Sequence, residues 1–301
     1  MTVQSPPVRP AAVQSPPQPP PPRRVPPAVW LIGPSILFMA LLLGWPVVQG
    51  VLQAVQNEQG FTLDYIRQMV EDPYFWPAVR NTVLLIAVMI PLQFGIAIGM
   101  ALLLRSNPRL NKLHFFVWAI PLALSDLAAG LVWLSIFNDR GYLNSFLKGF
   151  GIDGISWLAY DNPATLFLCV LTAEVWRSTS LVLVIVVAGL QGIPQDYDEA
   201  AQVFGATFWQ RLRHVTLPLL KPSLQVALIL RTILAFQTFA VAQALTGQSF
   251  PLVVGETYRW YTALQNPNVA AALALVILVA SMLTSIFYLR ALREKGQGST
   301  R

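Results

Sequence analysis

Six stretches of this chain are long and apolar enough to cross the hydrocarbon layer of a bilayer, and nothing constrains the fold more. The layer is about 30 Å thick and takes about 20 residues of helix. The stretches cover residues 28–48, 81–104, 113–137, 164–190, 223–246 and 269–289. Each is continuous and none alternates apolar with polar residues over the length of a barrel strand, so helices are predicted. A helix also satisfies its own backbone hydrogen bonds, which lipid cannot. Only 11% of the residues are charged, against about 25% in an ordinary soluble domain. The predicted class is therefore an all-α integral membrane protein with six transmembrane helices. The net charge of +6 is not gathered into a basic stripe with interleaved aromatics, so nucleic acid is not an expected partner. The lipid bilayer is.

Residues 1–27 hold 11 of the 24 prolines, too many for a helix or a packed core, and are expected to be a disordered tail. The late start and length of the first apolar run argue against a signal peptide. A transmembrane domain is expected over 28–295 and a short polar tail over 296–301. With the N-terminus inside, thirteen Lys and Arg fall in cytoplasmic segments and five in outer ones, which predicts an N-in, C-in orientation. Trp76, Tyr142, Trp157 and Tyr160 in the outer segments read as interfacial anchors. Pro34, Pro46, Pro91 and Pro121 predict kinks, and Gly95-x-x-x-Gly99 a small-residue packing face. The single cysteine, Cys169, rules out an internal disulfide.

The longest polar interruption in the second half, 191–222, falls on the cytoplasmic side of this topology. Pro194 suits a first helical turn, and Asp196, Asp198 and Glu199 complement a helix N-terminus. Tyr197, Ala200, Ala201 and Phe204 fall at i, i+3, i+4 and i+7, one helical face with a small-residue centre that a protein surface could approach. Gly205 permits a turn. Phe208, Leu212 and Val215 continue as a second amphipathic run, and Pro218 and Pro222 are expected to close the stretch.

No catalytic set is present. His114 and His214 have no second metal ligand at a useful spacing, and without a Gly-Lys dipeptide the chain has no phosphate-cradling Walker loop. Charges inside spans are the informative exceptions: Asp126 in the third, Glu174 and Arg177 in the fourth, Arg231 in the fifth. An isolated charge at the bilayer centre costs about 2.5–3.5 kcal/mol even on a lenient scale, so pairing is expected. Glu174 and Arg177, at i and i+3, are placed to pair locally, with Asp126 facing Arg231 or Arg177. These groups suit either a structural ion-pair network or the lining of a hydrophilic pathway. Gln237, Gln243 and Thr246 are expected to add hydrogen bonds from the fifth span.

Glu199-Ala200-Ala201-x-x-x-Gly205 followed by Val215-x-Leu217-Pro218 closely resembles the cytoplasmic EAA loop of binding-protein-dependent ABC importer permeases. The runs 136–147 and 174–194, with Phe239 to Gly247, are similar to the sugar branch of that family, the maltose and glycerol-phosphate type. The similarity covers residues 28–295. It implies the six-helix type I importer permease fold in a bacterial or archaeal inner membrane. It also implies a coupling helix at about 195–204, with Tyr197, Glu199, Ala200, Ala201, Phe204, Gly205, Leu217 and Pro218 engaging a separate ATPase. Two ATPase subunits using ATP and Mg, a second permease and an extracytoplasmic solute-binding protein are the implied partners. No cofactor on this chain is implied, nor enzyme activity. The implied solute is a carbohydrate, with glycerol phosphate, a polyol or another small solute as the alternative; an ion-coupled transporter is the reading from outside the family. One departure stands out: the family usually has Asp immediately before the glycine, where this chain has Phe204.

Overall fold

The computed structural model describes residues 27–106 and 111–291. The predicted tail up to residue 26 and the segment 296–301 lie outside the described residues. Among the described residues five helices are long and apolar enough to span a membrane: Ile32–Val55, Phe75–Arg105, Pro163–Gln191, Phe208–Phe236 and Pro267–Ala291. A sixth crossing exists if the bent pair Leu113–Ala123 and Asp126–Gly149 is one span.

The chain divides into two compact units at Val48. In the first, α1 (Pro27–Met39) runs through a π turn (Ala40–Gly44) into the start of α2 (Trp45–Val55), whose residues from 49 on belong to the second. Pro46 has no N–H to continue the α-helical ladder. The turn before it is widened, and the Trp45 N–H bonds the Ala40 carbonyl five residues back.

The second unit is organised on α8 (Pro163–Gln191), which has fourteen buried residues. It packs between α4 (Phe75–Ser106) and α11 (Leu217–Phe236), and α11 also packs on α14 (Pro267–Ala291). Lipid is as apolar as a helix face, so association in a membrane depends on close packing and hydrogen bonds. Small residues supply that closeness here. Ala97, Ala101 and Ala227 are buried in the cluster around Val182, Val186 and Leu220. A Cβ on Gly189 would sit 2.5 Å from the Ser223 hydroxyl, so α8 and α11 touch at a point only glycine allows. The predicted Gly95/Gly99 face is not such a contact: no atom lies within 4 Å of a Cβ built on either. That stripe faces outward, and Ala97 and Ala101 on another side of α4 do the packing.

The third span bends at Pro121, where a kink is predicted, and the bend is a full break of the helix. α5 (Asn111–Ala119) tightens into a 3₁₀ turn (Ile120–Ala123) at the buried Pro121; Leu124 is extended, and Ser125 caps α6 (Asp126–Phe137) by accepting from the Ala128 N–H at 3.2 Å. The two halves meet at 102°. Proline, an extended residue and a Ser cap break a helix where hydropathy alone runs through.

The fifth span is displaced. It begins at Phe208, as α10 (Phe208–Arg211), a π turn (Leu212–Thr216) and α11, and ends at Phe236. Pro218 and Pro222 therefore do not close the loop. Pro218 lies in the first turn of α11, where no N–H is required, and the π turn before it lets the Leu217 N–H bond the Leu212 carbonyl. Residues 237–239 break the helix, and α12 (Ala240–Thr246) is a separate element packed on α6 so closely that a Cβ on Gly130 would lie 2.7 Å from Ala244 Cβ.

The end of the unit away from residues 191–216 is built from α3 (Asp64–Glu71), α7 (Tyr142–Gly149) and α13 (Val253–Thr262). Trp157, read as an interfacial anchor, is half-buried. Its Nε1 donates to Asn144 Oδ1 at 3.0 Å, and buried Asn144 also bonds both backbone groups of Ile155. Trp76, Tyr142 and Tyr160 are exposed, as anchors should be. Arg259 bonds Asp72 at 2.8 Å and Glu256 at 2.5 Å under the Tyr74 ring, joining α13 to the start of α4. Burial pushes the Glu256 pKa up, against the pull of Arg259.

Candidate functional site

The loop end carries α9 (Asp196–Val203), with Asp196, Asp198 and Glu199 in its first turn as predicted. The helix starts after Gln195, so Pro194 precedes the first turn instead of occupying it. Its end is fixed by backbone geometry. The Gly205 N–H bonds the Gln202 carbonyl at 2.9 Å, the Ala206 N–H bonds the Ala201 carbonyl at 3.0 Å, and Gly205 has φ +76. This is a Schellman end with glycine in the left-handed position it requires. Phe204 caps the helix 90% exposed, beside Val203 at 86%. Tyr197, Glu199 and Ala200 are exposed and Ala201 is half-buried. Leu217 and Pro218 lie in the first turn of α11.

The second helix of the loop opens with a signature that sequence reading passed over, Thr207-x-x-Gln210. The Thr207 hydroxyl accepts from the Gln210 N–H at 3.4 Å, while Gln210 Oε1 accepts from the Thr207 N–H at 2.7 Å, a reciprocal cap. Arg211 then reaches back to Asp198 at 3.3 Å. A cavity of about 320 Å³ opens between the end of α4, α9 and α10, lined by Arg105, Gln195, Asp198, Glu199 and Arg211 among others.

Within the spans the four charges pair, but not as the i, i+3 spacing suggested. Glu174 binds Arg231 at 3.4 Å, and Arg177 binds Asp126 at 2.8 Å. The local Glu174–Arg177 pair is not formed, because each side chain is claimed by another helix: Glu174 by α11, Arg177 by the α6 N-terminus. The first pair is sealed, with side chains 1% and 2% exposed. Arg231 Nε also donates to Gln93 Oε1 at 2.8 Å, and Gln93 Nε2 donates to the Glu174 carbonyl at 3.1 Å. Gln93 closes the network and was not singled out in sequence; a lone buried amide inside an apolar run is its signal. The second pair is more open, Asp126 at 49% and Arg177 at 22%. Asp126 stands in the first turn of α6, beside the break between the two halves of the third span.

The three polar residues assigned to the fifth span do not share a helix. Gln237 caps α11, whereas Gln243 and Thr246 sit on α12 past the break. The Thr246 hydroxyl donates to the Ala242 carbonyl at 2.9 Å, and Gln243 lines a small cavity with Phe239, Gly247 and Glu256. His214 Nδ1 lies 3.0 Å from the Gln210 carbonyl. No group of three metal-ligating side chains occurs among the described residues.

The sequence family described as "Binding-protein-dependent transport system inner membrane component" matches residues 93–295. The sulfoquinovosyl glycerol transport system permease protein SmoG of Agrobacterium fabrum is 33% identical over 288 residues, covering 89% of this chain and 91% of its own. The trehalose/maltose transport system permease protein MalF of Thermococcus litoralis is 31% identical over 224 residues, covering 72% and 74%. Among solved structures, a chain of a bacterial ABC transporter involved in the import of the acidic polysaccharide alginate aligns with TM-score 0.79. It covers 90% of this chain and 98% of its own, at 19% identity, which speaks to the fold.

Proposed function

Because the chain belongs to the family of inner membrane components of binding-protein-dependent transport systems, we propose that it forms half of the pathway of an ATP-driven carbohydrate importer in a bacterial or archaeal inner membrane. The observation that carries this reading is the loop helix: an exposed α9 face, ended by a left-handed Gly205, in the family's loop sequence. In this reading the loop is cytoplasmic and α9 docks on a separate ATPase. Glu199 meets a basic group of that partner, Ala200 and Ala201 allow close approach, and Phe204 supplies an apolar contact where the family has a carboxylate. Two ATPase copies using ATP and Mg would close and drive the spans between inward- and outward-facing states, an equilibrium biased by differential contacts. A second permease would complete the pathway, and an extracytoplasmic binding protein would deliver the solute. Asp126, Arg177 and the polar residues Gln237, Gln243 and Thr246 are the pathway residues proposed here; Glu174 and Arg231 brace it.

A carbohydrate is supported by relatives whose names specify sulfoquinovosyl glycerol and trehalose/maltose transport. Glycerol phosphate is less well served, since both mid-span arginines already hold carboxylates. The test is affinity co-purification through this chain, with uptake of a labelled sugar panel. Glu199→Lys and Gly205→Asp should abolish uptake and ATPase recovery while membrane insertion stays normal. Full uptake in both variants would refute the docking role, and uptake that collapses with an uncoupler while ATP is maintained would point to ion coupling instead.

A further inference from the structure

We propose that the Asp198–Arg211 ion pair is a latch that fixes the loop helix to the long fifth helix, so that displacement of the loop reaches Arg231 within the membrane. The inference rests on α9 being the docking element. Arg211 belongs to the 208–236 rod and Asp198 to α9; besides the ion pair, the two elements are joined through the turn at residues 204–207 and a short contact of α9 with residues 208–216. The Schellman bonds fall on the α9 side of that turn, and the Thr207–Gln210 cap falls on the rod side. Gly205, in its left-handed conformation, sits between them. Among the described residues, the Arg211–Asp198 contact at 3.3 Å is the one side-chain hydrogen bond that crosses from α9 to the rod. The same carboxylate oxygen accepts from Gln202 Nε2 at 3.1 Å, which holds it in place. The side chains are 20% and 35% exposed, on the wall of the loop cavity.

The rod has the parts of a lever. Its driven end is Arg211. Its contact point is Ser223 against Gly189 of α8, where no Cβ fits. Its load is Arg231, bonded to Glu174 and Gln93. Twenty residues of helix from Arg211 to Arg231 span about 30 Å. The π turn Leu212–Thr216 lies just beyond the latch and keeps the rod continuous ahead of Pro218, because the Leu217 N–H bonds the Leu212 carbonyl. Without the latch, a push on α9 would be absorbed at Gly205; with it, the push arrives on the rod. Coupling over such distances requires a contiguous element that both ends bias, and the latch completes it.

The experiment uses the whole transporter purified through this chain, in nanodiscs, with Cys169→Ala and one spin label placed at Val203→Cys or at Leu234→Cys. Both positions are exposed, one on the docking face and one beside Arg231. In the parent protein, ATP with vanadate should change both spectra. In Asp198→Asn and in Arg211→Gln the Val203 response should persist, while the Leu234 response falls about fivefold or more, the scale of a typical coupling loss. The charge swap Asp198→Arg with Arg211→Asp should restore most of it. A full Leu234 response in the single variants, or a swap no better than either, would overturn the latch. A parent protein whose Val203 label ignores ATP would instead remove the docking reading, and the latch with it. The retained Val203 response controls for folding, and if Arg211→Gln does not assemble, Asp198→Asn carries the same test.

Discussion

Replacing Arg231 by Met would leave Glu174 charged, sealed from water and without its cation. The geometry sets the scale. Both side chains are at most 2% exposed, Arg231 Nη2 lies 3.4 Å from Glu174 Oε2, and its Nε lies 2.8 Å from Gln93 Oε1. Breaking a buried pair from one side costs about 3–5 kcal/mol, because the abandoned charge keeps its desolvation penalty. At 1.4 kcal/mol per tenfold, that lowers the folded-to-unfolded ratio by roughly 10²–10³ or more. At about 2–4 °C per kcal/mol for a domain of this size, it lowers the melting temperature by about 6–20 °C. Glu174→Leu should cost a similar amount by orphaning the guanidinium. The double variant should be milder than either single. It removes both charges and leaves two neutral groups, the Gln93 oxygen without its donor and the Ser178 hydroxyl without its acceptor, at about 1–3 kcal/mol each at most. The measurement is the fraction of purified protein that remains monodisperse after heating in detergent, for both singles and the double. A double variant that loses at least the sum of the two singles would refute the argument, since two independent side chains behave that way.

The Asp126–Arg177 pair should be far less costly to break, because Asp126 is half exposed. Asp126→Asn should cost about 1 kcal/mol, a weak pair together with a helix-terminus charge, and the same heating assay checks it. A drop as large as that of Arg231→Met would show that this pair is sealed as well. At the far end, burial holds the Glu256 pKa above its ordinary value of 4.5. The folded state therefore keeps this proton to higher pH than the unfolded state. Stability from this group is full below about pH 4.5 and is lost as pH rises through the folded value. Glu256→Gln should flatten that decline while retaining a partner for Arg259. An unchanged pH–stability slope between pH 4 and about 7 would count against it.

Much of this was readable from hydropathy, because twenty apolar residues in a row have few alternatives to a spanning helix. The breaks were harder to place. Hydropathy is blind to the Pro121, Ser125 and Asp126 sequence that stops one helix and caps the next, although each residue is a known boundary signal. Pro218 misled in the opposite direction. A proline usually ends a helix, but a π turn before it re-pairs the backbone, and the same device precedes Pro46. The loop helix was read correctly because its acids, its small residues and its glycine each act locally. The charge pairs were half read. Spacing shows which side chains share a face of one helix and cannot show what the facing helix offers. Gln93 and Asp198–Arg211 were missed for that reason: their partners lie 138 and 13 residues away.

Cross-helix pairing also bears on what the proposed pathway can accept. The four mid-span charges, Asp126, Glu174, Arg177 and Arg231, sum to zero, and each cation is bonded to its own anion. An anionic solute seeking Arg231 would have to break a sealed pair and enter a place with almost no exposed surface. Arg177 is more open, but Asp126 already stands 2.8 Å from it at a helix N-terminus. A phosphate there would meet a carboxylate at close range, and like-charge juxtaposition costs several kcal/mol. A neutral hydroxylated solute meets neither penalty. Hydroxyls can accept from a guanidinium and donate to a carboxylate without displacing either. The half-exposed Asp126 beside the broken third span offers the free lone pairs for that exchange. In the proposed pathway the Asp126–Arg177 pair therefore suits a hydroxylated solute, whose hydroxyls can bond both groups.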